Sequence, residues 1–369
     1  MNDSVYLARA IALAKQGLYT TDPNPRVGCV VVKSGQIVGE GWHQQVGGPH
    51  AEINALAQAG NNAQGATCYV TLEPCCHHGR TAPCTGVLIQ AGINRVVVAI
   101  KDPNPKVAGK GLAQLRAAGI EVTHGLLTEE AKALNLGFIQ RFTLNRPWVR
   151  CKLAMSLDGA TALASGESRW ITSPAARHDV QKWRARSSGI LTGIGTILHD
   201  NPSLNVRYHE LKEQIPELLQ RQPLCIILDQ KLTLPEHAKI LSLPRSVLVV
   251  CEDSSYPKAE ILRNLGVEVI NIPLLGQKLD LALLMTVLAQ REMNELHVEC
   301  GAKLAGSLLQ AGLIDELILY IAPKLMGDNS LGLFHLLGIN TMKDTIDVVI
   351  KEVRAIGNDW RFIVHFNKS

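Results

Sequence analysis

Short apolar runs alternate with amphipathic stretches along the first part of the chain. Runs at residues 27–33, 66–72 and 95–100 are rich in valine and bounded by turn residues, a pattern typical of buried β-strands. Apolar residues that recur every three or four positions predict helices between them. The predicted elements are strands at 27–33, 36–42, 66–72, 95–100 and 120–123 and helices at 4–17, 50–58, 83–91 and 112–118. This alternation predicts an α/β layer fold.

A second alternating series begins after Asn145-Arg146-Pro147. The end of the chain, on either side of Gly357-Asn358-Asp359, predicts a β-hairpin formed by residues 346–354 and 360–366. The other predicted strands are 148–154, 189–192, 224–228, 246–250, 267–271, 295–299 and 317–322, and the helices are 174–186, 257–265, 279–290 and 302–311. We therefore expect two α/β domains, residues 1–146 and 147–369.

Composition narrows the class of protein. A chain of 369 residues that is 46% hydrophobic is long enough for two folded cores. The formal net charge of +4 and the absence of a basic run argue against bulk nucleic-acid binding. The first seventeen residues predict an amphipathic helix rather than a signal peptide, and no apolar stretch is long enough for a membrane span. We expect a cytoplasmic protein that contacts no membrane.

Nine cysteines, an odd number, are spread along the chain, and only Cys75, Cys76 and Cys84 cluster. Scattered, odd-numbered cysteines are typical of a reducing compartment. The remaining six sit in or beside apolar runs, where core packing is the expected role. They are Cys29, Cys68, Cys151, Cys225, Cys251 and Cys300.

The clustered cysteines combine with His50 and Glu52 into a candidate catalytic zinc site. We expect His50, Cys75 and Cys84 to be the ligands, because a catalytic zinc takes three protein ligands and keeps one position for water. Glu52 is expected to be the proton carrier. His-x-Glu followed by Pro-Cys-x-x-Cys is the signature of zinc nucleobase deaminases, although here eight residues separate Cys75 from Cys84. Pro74 is expected to let Cys75 begin a helix.

Two other readings of this cluster stay open. Cys76, His77 and His78 compete as ligands. A closed structural site formed by Cys75, Cys84, His77 and His78 would leave His50 and Glu52 unused and would support a binding module without turnover.

Several segments resemble the bifunctional deaminase/reductase family of riboflavin biosynthesis. They are residues 21–28, 48–52, 71–81 and 102–105, and the likeness extends over nearly the whole chain. That family has a similarly long insert between the two cysteines and usually has Ser at the position of Cys76, which the resemblance therefore makes a bystander. The resemblance implies a cytidine-deaminase-like three-layer first domain. It also implies a pyrimidine and phosphate pocket lined by Asn24, His43, His77, Arg80, Asp102 and Asn104.

Two glycine-containing turns of the second domain each follow a predicted strand. The turns at 193–196 and 301–307 could cradle a phosphate with backbone N–H groups, yet the full Gly-x-Gly-x-x-Gly pattern is missing and a tight structural turn explains them equally well. The resemblance implies a dihydrofolate-reductase-like fold that uses NADPH. The residues it places at the cofactor are Ala154, Trp170, Thr196, Asp200, Gly301, Ala302, Lys303, Leu304, Ala305, Gly306 and Ser307, and those at the substrate are Ser168, Arg184, Leu204, Arg207 and Glu299.

The expected function is that of a bifunctional enzyme. The first domain would deaminate 2,5-diamino-6-(5-phosphoribosylamino)pyrimidin-4(3H)-one with zinc. The second would reduce the ribosyl group with NADPH to give 5-amino-6-(5-phosphoribitylamino)uracil. Lys152 is a candidate to assist ring opening, unless it is simply exposed. The expected partner of the protein is a small phosphorylated pyrimidine rather than a nucleic acid. We also expect the protein to be a homo-oligomer. A deaminase acting on a free nucleotide or on tRNA is the alternative enzyme.

Overall fold

The computed structural model describes residues 3–76, 83–211, 213, 215 and 220–366. The chain separates into two units, Met1–Asn145 and Arg146–Ser369. Among the described residues, no helix combines the length and apolarity needed to cross a bilayer.

A mixed β-sheet forms the centre of the first unit. The strands lie in the order β2-β1-β3-β4-β5, with β1 antiparallel to both neighbours and β3, β4 and β5 parallel. The strands are β1 (Gly28–Lys33), β2 (Gln36–Trp42), β3 (Thr67–Leu72), β4 (Arg95–Ile100) and β5 (Glu121–His124), and the helices are α1 (Asp3–Ala14), α2 (Ala51–Ala59), α3 (Cys84–Gln90), α4 (Lys110–Ala117), α5 (Thr128–Leu134) and α6 (Leu136–Leu144).

Helices cover both faces of this sheet. One core joins α2, α3 and α4 to the face that carries Val70 and Val98, and a second joins α1, α5 and α6 to the face that carries Tyr69 and Val97. Because both faces are buried, β3 and β4 are almost continuously apolar, as the sequence pattern suggested. The result is a three-layer α/β/α domain, which confirms the expected fold class for this half.

Two local predictions for the first unit were wrong. Cys75 does not begin a helix: it lies in irregular chain, and α3 begins at Cys84. Helices α5 and α6 were not foreseen, although Thr128 followed by Glu129 and Glu130 is a usual start signal and was overlooked.

The second unit is built on a larger sheet. Its strands lie in the order β11-β10-β9-β8-β14-β6-β15-β18-β17, parallel from β11 to β15 and antiparallel in the last two pairs. The strands are β6 (Trp148–Ser156), β7 (Ala160–Ala162), β8 (Gly189–Gly193), β9 (Leu224–Leu228), β10 (Val247–Cys251), β11 (Glu268–Asn271), β12 (Leu274–Leu275), β13 (Lys278–Leu279), β14 (Glu295–Glu299), β15 (Glu316–Ala322), β16 (Leu331–Gly332), β17 (Val348–Ile356) and β18 (Asp359–Phe366). The helices are α7 (Pro174–Arg186), α8 (Ile194–Asp200), α9 (Pro257–Asn264), α10 (Leu281–Gln290) and α11 (Ala302–Gln310).

Helices also cover both faces of the second sheet. The core under α10 and α11 is separate from the cores under α8 and α9 and under α7. Helix α7 starts where the sequence predicts, since Ser173 caps it by accepting from the backbone N–H of Ala176 and Pro174 occupies its first turn. The predicted terminal hairpin is present as β17 and β18.

Candidate active sites

The three predicted zinc ligands meet at one edge of the first unit. Nδ1 of His50 lies 3.2 Å from Sγ of Cys84 and 3.6 Å from Sγ of Cys75. All three candidate ligand atoms lie within 4.8 Å of one another. His50 immediately precedes α2, Cys84 opens α3, and Cys75 follows the end of β3, so three elements bring the cluster together.

The electrostatics of the cluster favour a thiolate. The Cys84 thiol hydrogen-bonds to Cys75 and His50 lies nearby, which together lower the pKa of Cys75 to about 4. The same contact with Cys75, together with burial, raises the pKa of Cys84. The contact between the two sulfurs and His50 thus favours one thiolate in the pair, and thiolate is the form that binds zinc.

Glu52 lies in the first turn of α2, two positions beyond His50, and is 3% exposed. Burial raises the pKa of its carboxyl, with His50 acting in the opposite direction. A buried carboxyl beside the ligand cluster is suited to carry protons.

One imidazole and two thiols form a donor set that suits zinc with an open position. The alternative closed site needs His77 and His78, which lie outside the described residues, and would leave His50 unused. The contact of His50 with both sulfurs favours the three-ligand arrangement. Cys76 is half-buried and does not belong to the group of candidate ligands found among the described residues.

Asn24 and His43 form a hydrogen-bonded pair beside the cluster. The side-chain amide of Asn24 lies 3.0 Å from Nε2 of His43, whose Nδ1 lies 3.0 Å from the carbonyl of Pro49. The His43 and His50 rings meet edge to face at 5.6 Å. Burial lowers the pKa of His43, so the ring is neutral. Since a carbonyl only accepts, Nδ1 carries the proton and Nε2 accepts from Asn24.

Asp102 and Asn104 lie on the loop between β4 and α4. Two side chains stabilise this loop by accepting backbone hydrogen bonds. Asp102 accepts from the N–H of Asn104 at 2.8 Å, and Asn104 accepts from the N–H of Lys106 at 3.0 Å. Burial raises the pKa of Asp102 to about 6, and the nearby charges of Glu73 and Cys75 add to the rise. The Asp102 carboxyl is thus close to the ligand cluster. The predicted pocket residues His77 and Arg80 lie outside the described residues.

Arg184 and Glu299 form the centre of the candidate site in the second unit. Arg184, on α7, donates to both carboxylate oxygens of Glu299 at the end of β14, at 2.5 and 3.0 Å. A third bond, of 2.8 Å, reaches the carbonyl of Asn205. Burial opposes ionisation of Glu299, but Arg184 and His297 together outweigh it and lower the pKa of this carboxyl well below its usual range.

Lys152 is half-buried rather than exposed. Its ammonium lies 5.8 Å from the ring of Tyr320. Burial lowers its pKa, and Glu299 acts in the opposite direction. The reading of Lys152 as a simply exposed strand lysine is therefore wrong.

Arg207 and Leu204 lie on the loop after α8. Arg207 pairs with Glu210 and its N–H donates to Gln181 at 2.9 Å. The carbonyl of Leu204 accepts from Arg245 at 2.6 Å. Gln181 and Arg245, which hold this loop, were not identified from the sequence, since their partners are backbone groups of a distant segment.

Two of the predicted cofactor segments are the starts of α8 and α11, which follow strands β8 and β14. A Cβ added to Gly193 would lie 3.3 Å from Leu304, which brings the start of α8 against α11. A Cβ added to Gly195 or Gly301 would meet no atom within 4 Å, and neither glycine has a positive φ. The small residues therefore leave open space above a helix start, which suits a phosphate.

Other predicted cofactor and substrate residues have varied surroundings. Asp200 pairs with Arg169, and the exposed ring of Trp170 lies 4.3 Å from the Arg177 guanidinium.

Ala305 is fully buried, and a Cβ on Gly306 would meet the carbonyl of His335 at 2.0 Å, so these two residues contribute packing. Ala154 and Ser168 are half-buried, as are Thr196 at the start of α8 and Ala302 at the start of α11.

A cavity of about 350 Å³ adjoins residues 303–307, within the predicted cofactor segment 301–307. Its apolar walls carry cationic groups: Lys278 donates to the hydroxyl of Ser307 at 3.1 Å, and Lys303 lies one helical turn earlier on α11. The lining residues are Lys278, Lys303, Leu304, Ser307, Gln310, His335 and Leu337. Apolar walls with lysines suit a flat heteroaromatic ring that carries a phosphate.

Comparison with known proteins gives consistent matches for both halves. Residues 147–362 match the family described as RibD C-terminal domain, and residues 1–100 match the cytidine and deoxycytidylate deaminase zinc-binding region. The chain is 50% identical to the riboflavin biosynthesis protein RibD of Escherichia coli K12, over 97% of this chain and 98% of that protein.

Solved structures agree over the full length. Acinetobacter baumannii RibD superposes with a TM-score of 0.92 at 45% identity, covering 99% of both chains. A diaminohydroxyphosphoribosylaminopyrimidine deaminase/5-amino-6-(5-phosphoribosylamino)uracil reductase from Thermotoga maritima superposes with a TM-score of 0.84 at 35% identity, again covering 99% of both.

Proposed function

Because the chain belongs to the RibD family of bifunctional deaminase/reductases of riboflavin biosynthesis, we propose that its two units divide the two reactions between them. The first unit hydrolyses the 2-amino group of 2,5-diamino-6-(5-phosphoribosylamino)pyrimidin-4(3H)-one. The second transfers hydride to the ribosyl group of the product and yields 5-amino-6-(5-phosphoribitylamino)uracil. The observation that carries the proposal is the meeting of His50, Cys75 and Cys84 beside the buried Glu52.

In the deaminase unit, His50, Cys75 and Cys84 hold the zinc. Zinc held there would act as a Lewis acid and would lower the pKa of water to about 7. The Glu52 carboxylate takes one proton from the attacking water and passes it to the ring nitrogen. It then takes the second proton, from the hydroxyl that the attack has placed on the ring carbon, and passes it to the amino group, which leaves as ammonia. Asn24, His43, Asp102 and Asn104 hold the base, and the neutral His43 keeps the Asn24 amide oriented.

In the reductase unit, NADPH supplies the hydride. Arg184 and Glu299 form a rigid ion pair, with Leu204 and Arg207 on the adjoining loop, and these residues bind the phosphoribosyl substrate. The open turn at Gly301 would receive the cofactor pyrophosphate, since its N–H groups lie at the start of α11.

The family-level function is tested by supplying the diaminopyrimidinone phosphate with and without NADPH and identifying the products by mass. We expect release of ammonia and a uracil product without NADPH, and the ribityl product only when NADPH is present. Formation of the ribityl compound without any reduced nicotinamide would contradict the cofactor assignment.

Lys278 and Lys303 are proposed to select NADPH over NADH by binding its 2′-phosphate. The cofactors differ only in that phosphate, and both lysines line the cavity beside the Gly301 turn. We expect Lys278→Gln and Lys303→Gln each to weaken binding of adenosine 2′,5′-bisphosphate by about tenfold, as for a lost hydrogen bond to a charged group. Affinity for adenosine 5′-monophosphate should not change. Titration calorimetry with both nucleotides measures the difference.

Lys258, which pairs with Glu236 on the surface of the same unit, provides the matched control. Lys258→Gln should leave binding of both nucleotides unchanged. Equal weakening of both nucleotides by the cavity variants would show that the lysines do not read the 2′-phosphate.

Arg207 is proposed to bind the phosphate of the reductase substrate. In the structure it pairs with Glu210 and its side chain is about a third exposed (36%), so it can reach a ligand. We expect Arg207→Ala to raise KM for the deaminated substrate by roughly tenfold or more, because a charge-assisted bond is worth about 1.5–3 kcal/mol. Initial-rate kinetics should show little change in KM for NADPH and none in deamination.

Arg291→Ala is the control for this experiment. Arg291 forms a similar pair with Glu268 on the surface of the same unit, so its loss should leave reduction unchanged. Impaired deamination in Arg207→Ala would contradict the division of labour between the units.

The enzyme is further proposed to be a cytoplasmic homo-oligomer. All nine cysteines are free thiols, which suits a reducing compartment. Strand β17 exposes Val348, Ile350 and Val353, and an apolar edge strand of this kind favours pairing with another copy. Sedimentation that returns only the monomer mass, or recovery of the protein in a periplasmic fraction, would contradict these two points.

A further inference from the structure

Glu73 is a buried carboxylate at the end of β3, directly before Pro74 and Cys75, and it is 3% exposed. One of its oxygens, Oε2, accepts from the backbone N–H of Asp102 at 3.2 Å and of Gly109 at 2.9 Å. The other, Oε1, accepts from the N–H of Leu112 at 3.2 Å. The backbone N–H of Glu73 itself donates to the carbonyl of Ile100 at the end of β4.

The three donors belong to a single stretch of chain. Asp102 opens the loop that carries the proposed pyrimidine-binding side chains, Gly109 closes it, and Leu112 lies in the first turn of α4. A negative charge at a helix start satisfies N–H groups that have no partner within the helix. Glu73 therefore fixes both ends of the loop and the start of the helix that follows.

Close packing around this carboxylate holds the same parts together, since a Cβ on Gly111 would lie 3.1 Å from Oε1 of Glu73. A Cβ on Gly111 would lie 2.2 Å from the carbonyl of Pro74, so α4 touches the backbone next to Cys75. The hydroxyl of Thr85 donates to Gln114 of α4 at 2.8 Å, and its N–H donates to the carbonyl of Cys75. The chain around the metal ligands and the loop of Asp102 and Asn104 are thus parts of one frame.

We propose that Glu73 is a positioning residue for deamination, which sets the pyrimidine-binding loop at a fixed distance from the metal ligands. It acts through the backbone of residues 102–112 and does not touch the substrate. The inference rests on the proposed function, since it takes Asp102 and Asn104 to bind the base.

Glu73→Gln tests this role with little change in size. An amide has one acceptor oxygen, so its NH₂ group must face at least one backbone N–H of the loop. We expect KM for the diaminopyrimidinone to rise by about tenfold, as for a buried donor left without a partner, while kcat falls less. Zinc content should stay at the wild-type value, and reduction of the deaminated substrate should be unchanged.

Asp3→Asn is the matched control in the same unit. Asp3 also accepts several hydrogen bonds, from Arg95 and from Tyr69, but these tie α1 to the sheet rather than to the loop. This carboxylate-to-amide change should lower the unfolding temperature and leave KM unchanged. A merely structural role for Glu73 would give the same result as Asp3→Asn.

Gly111→Ala tests the same positioning by changing the contact between α4 and the backbone next to Cys75. The added methyl group must push α4 away from Pro74, so KM should rise with Glu73 intact. Because both changes act on one contact, the double variant should show less than the product of the two single effects.

An unchanged KM in Glu73→Gln, or loss of zinc from it, would overturn the positioning role. Asn104→Ala separates this outcome from failure of the proposed function. If Asn104→Ala raises KM but Glu73→Gln does not, the inference alone is wrong. If Asn104→Ala also leaves KM unchanged, the placement of the base on this loop is wrong, and the inference falls with it.

Discussion

Glu52→Gln is expected to reduce ammonia release by roughly a hundred- to ten-thousand-fold, the usual contribution of a general acid–base group. Glutamine has nearly the same shape but cannot carry a proton at neutral pH. Because Glu52 is not one of the three clustered ligand groups, zinc content should be unchanged. Ammonia release and metal analysis on the same purified sample measure both quantities.

The chain offers two controls for that result. Glu40→Gln makes the same chemical change at a surface ion pair with Arg9 in the same unit, and deamination should be unaffected. Reduction of the pre-deaminated substrate by Glu52→Gln should proceed at the wild-type rate. Deamination near the wild-type rate in Glu52→Gln would remove Glu52 from the mechanism.

Cys75→Ser and Cys84→Ser are each expected to lose the metal and, with it, all deamination. Both sulfurs lie beside Nδ1 of His50, and a hydroxyl is a far poorer zinc ligand than a thiolate at neutral pH. Cys76→Ser is the natural control, because Cys76 is adjacent in sequence but does not belong to the cluster. It should keep its zinc and its activity.

Metal analysis of the three purified serine variants decides the ligand set. Zinc loss in Cys76→Ser with retention in Cys75→Ser would exchange the two roles. Retention in Cys84→Ser would contradict both the three-ligand site and the closed site with His77 and His78, since Cys84 belongs to each.

Several elements were predictable to the residue because capping and turn residues close in the sequence mark where they begin and end. Strands β2, β4, β9 and β14 and helix α7 begin and end at the predicted positions. Glycines such as Gly92, with a φ of 68°, stop the preceding helix by adopting a left-handed conformation. Such signals lie within a few residues of the feature they control.

The missed elements depend on distant contacts. Asn135 separates α5 from α6, and its side chain exchanges hydrogen bonds with the backbone of Arg26, 109 residues away. Cys75 stays outside a helix although Pro74 precedes it, and its sulfur accepts from the N–H of Cys84 instead. Local propensity contains no information on either contact.

The same distinction applies to the candidate sites. The candidate zinc site was predictable because two thiols and an imidazole are typical zinc ligands and the neighbouring carboxylate is a typical proton carrier. Glu73, Gln181 and Arg245 act on backbone groups of remote segments, so only the fold shows their partners. Glu73 stood inside a recognised motif, but that motif gave no indication of its role.

The topology of the two sheets has a consequence for synthesis on the ribosome. Every strand of the first sheet has been made once residue 124 emerges, and its three parallel strands follow one another in the chain. In the second sheet, β6 is the earliest strand yet lies between β14 and β15, which follow it by well over a hundred residues. Since domains generally fold as units and N-terminal ones first, the deaminase unit can complete its core during translation. Strand β6 must instead wait for most of the remaining chain, so we expect the nascent reductase unit to be the part most dependent on chaperones.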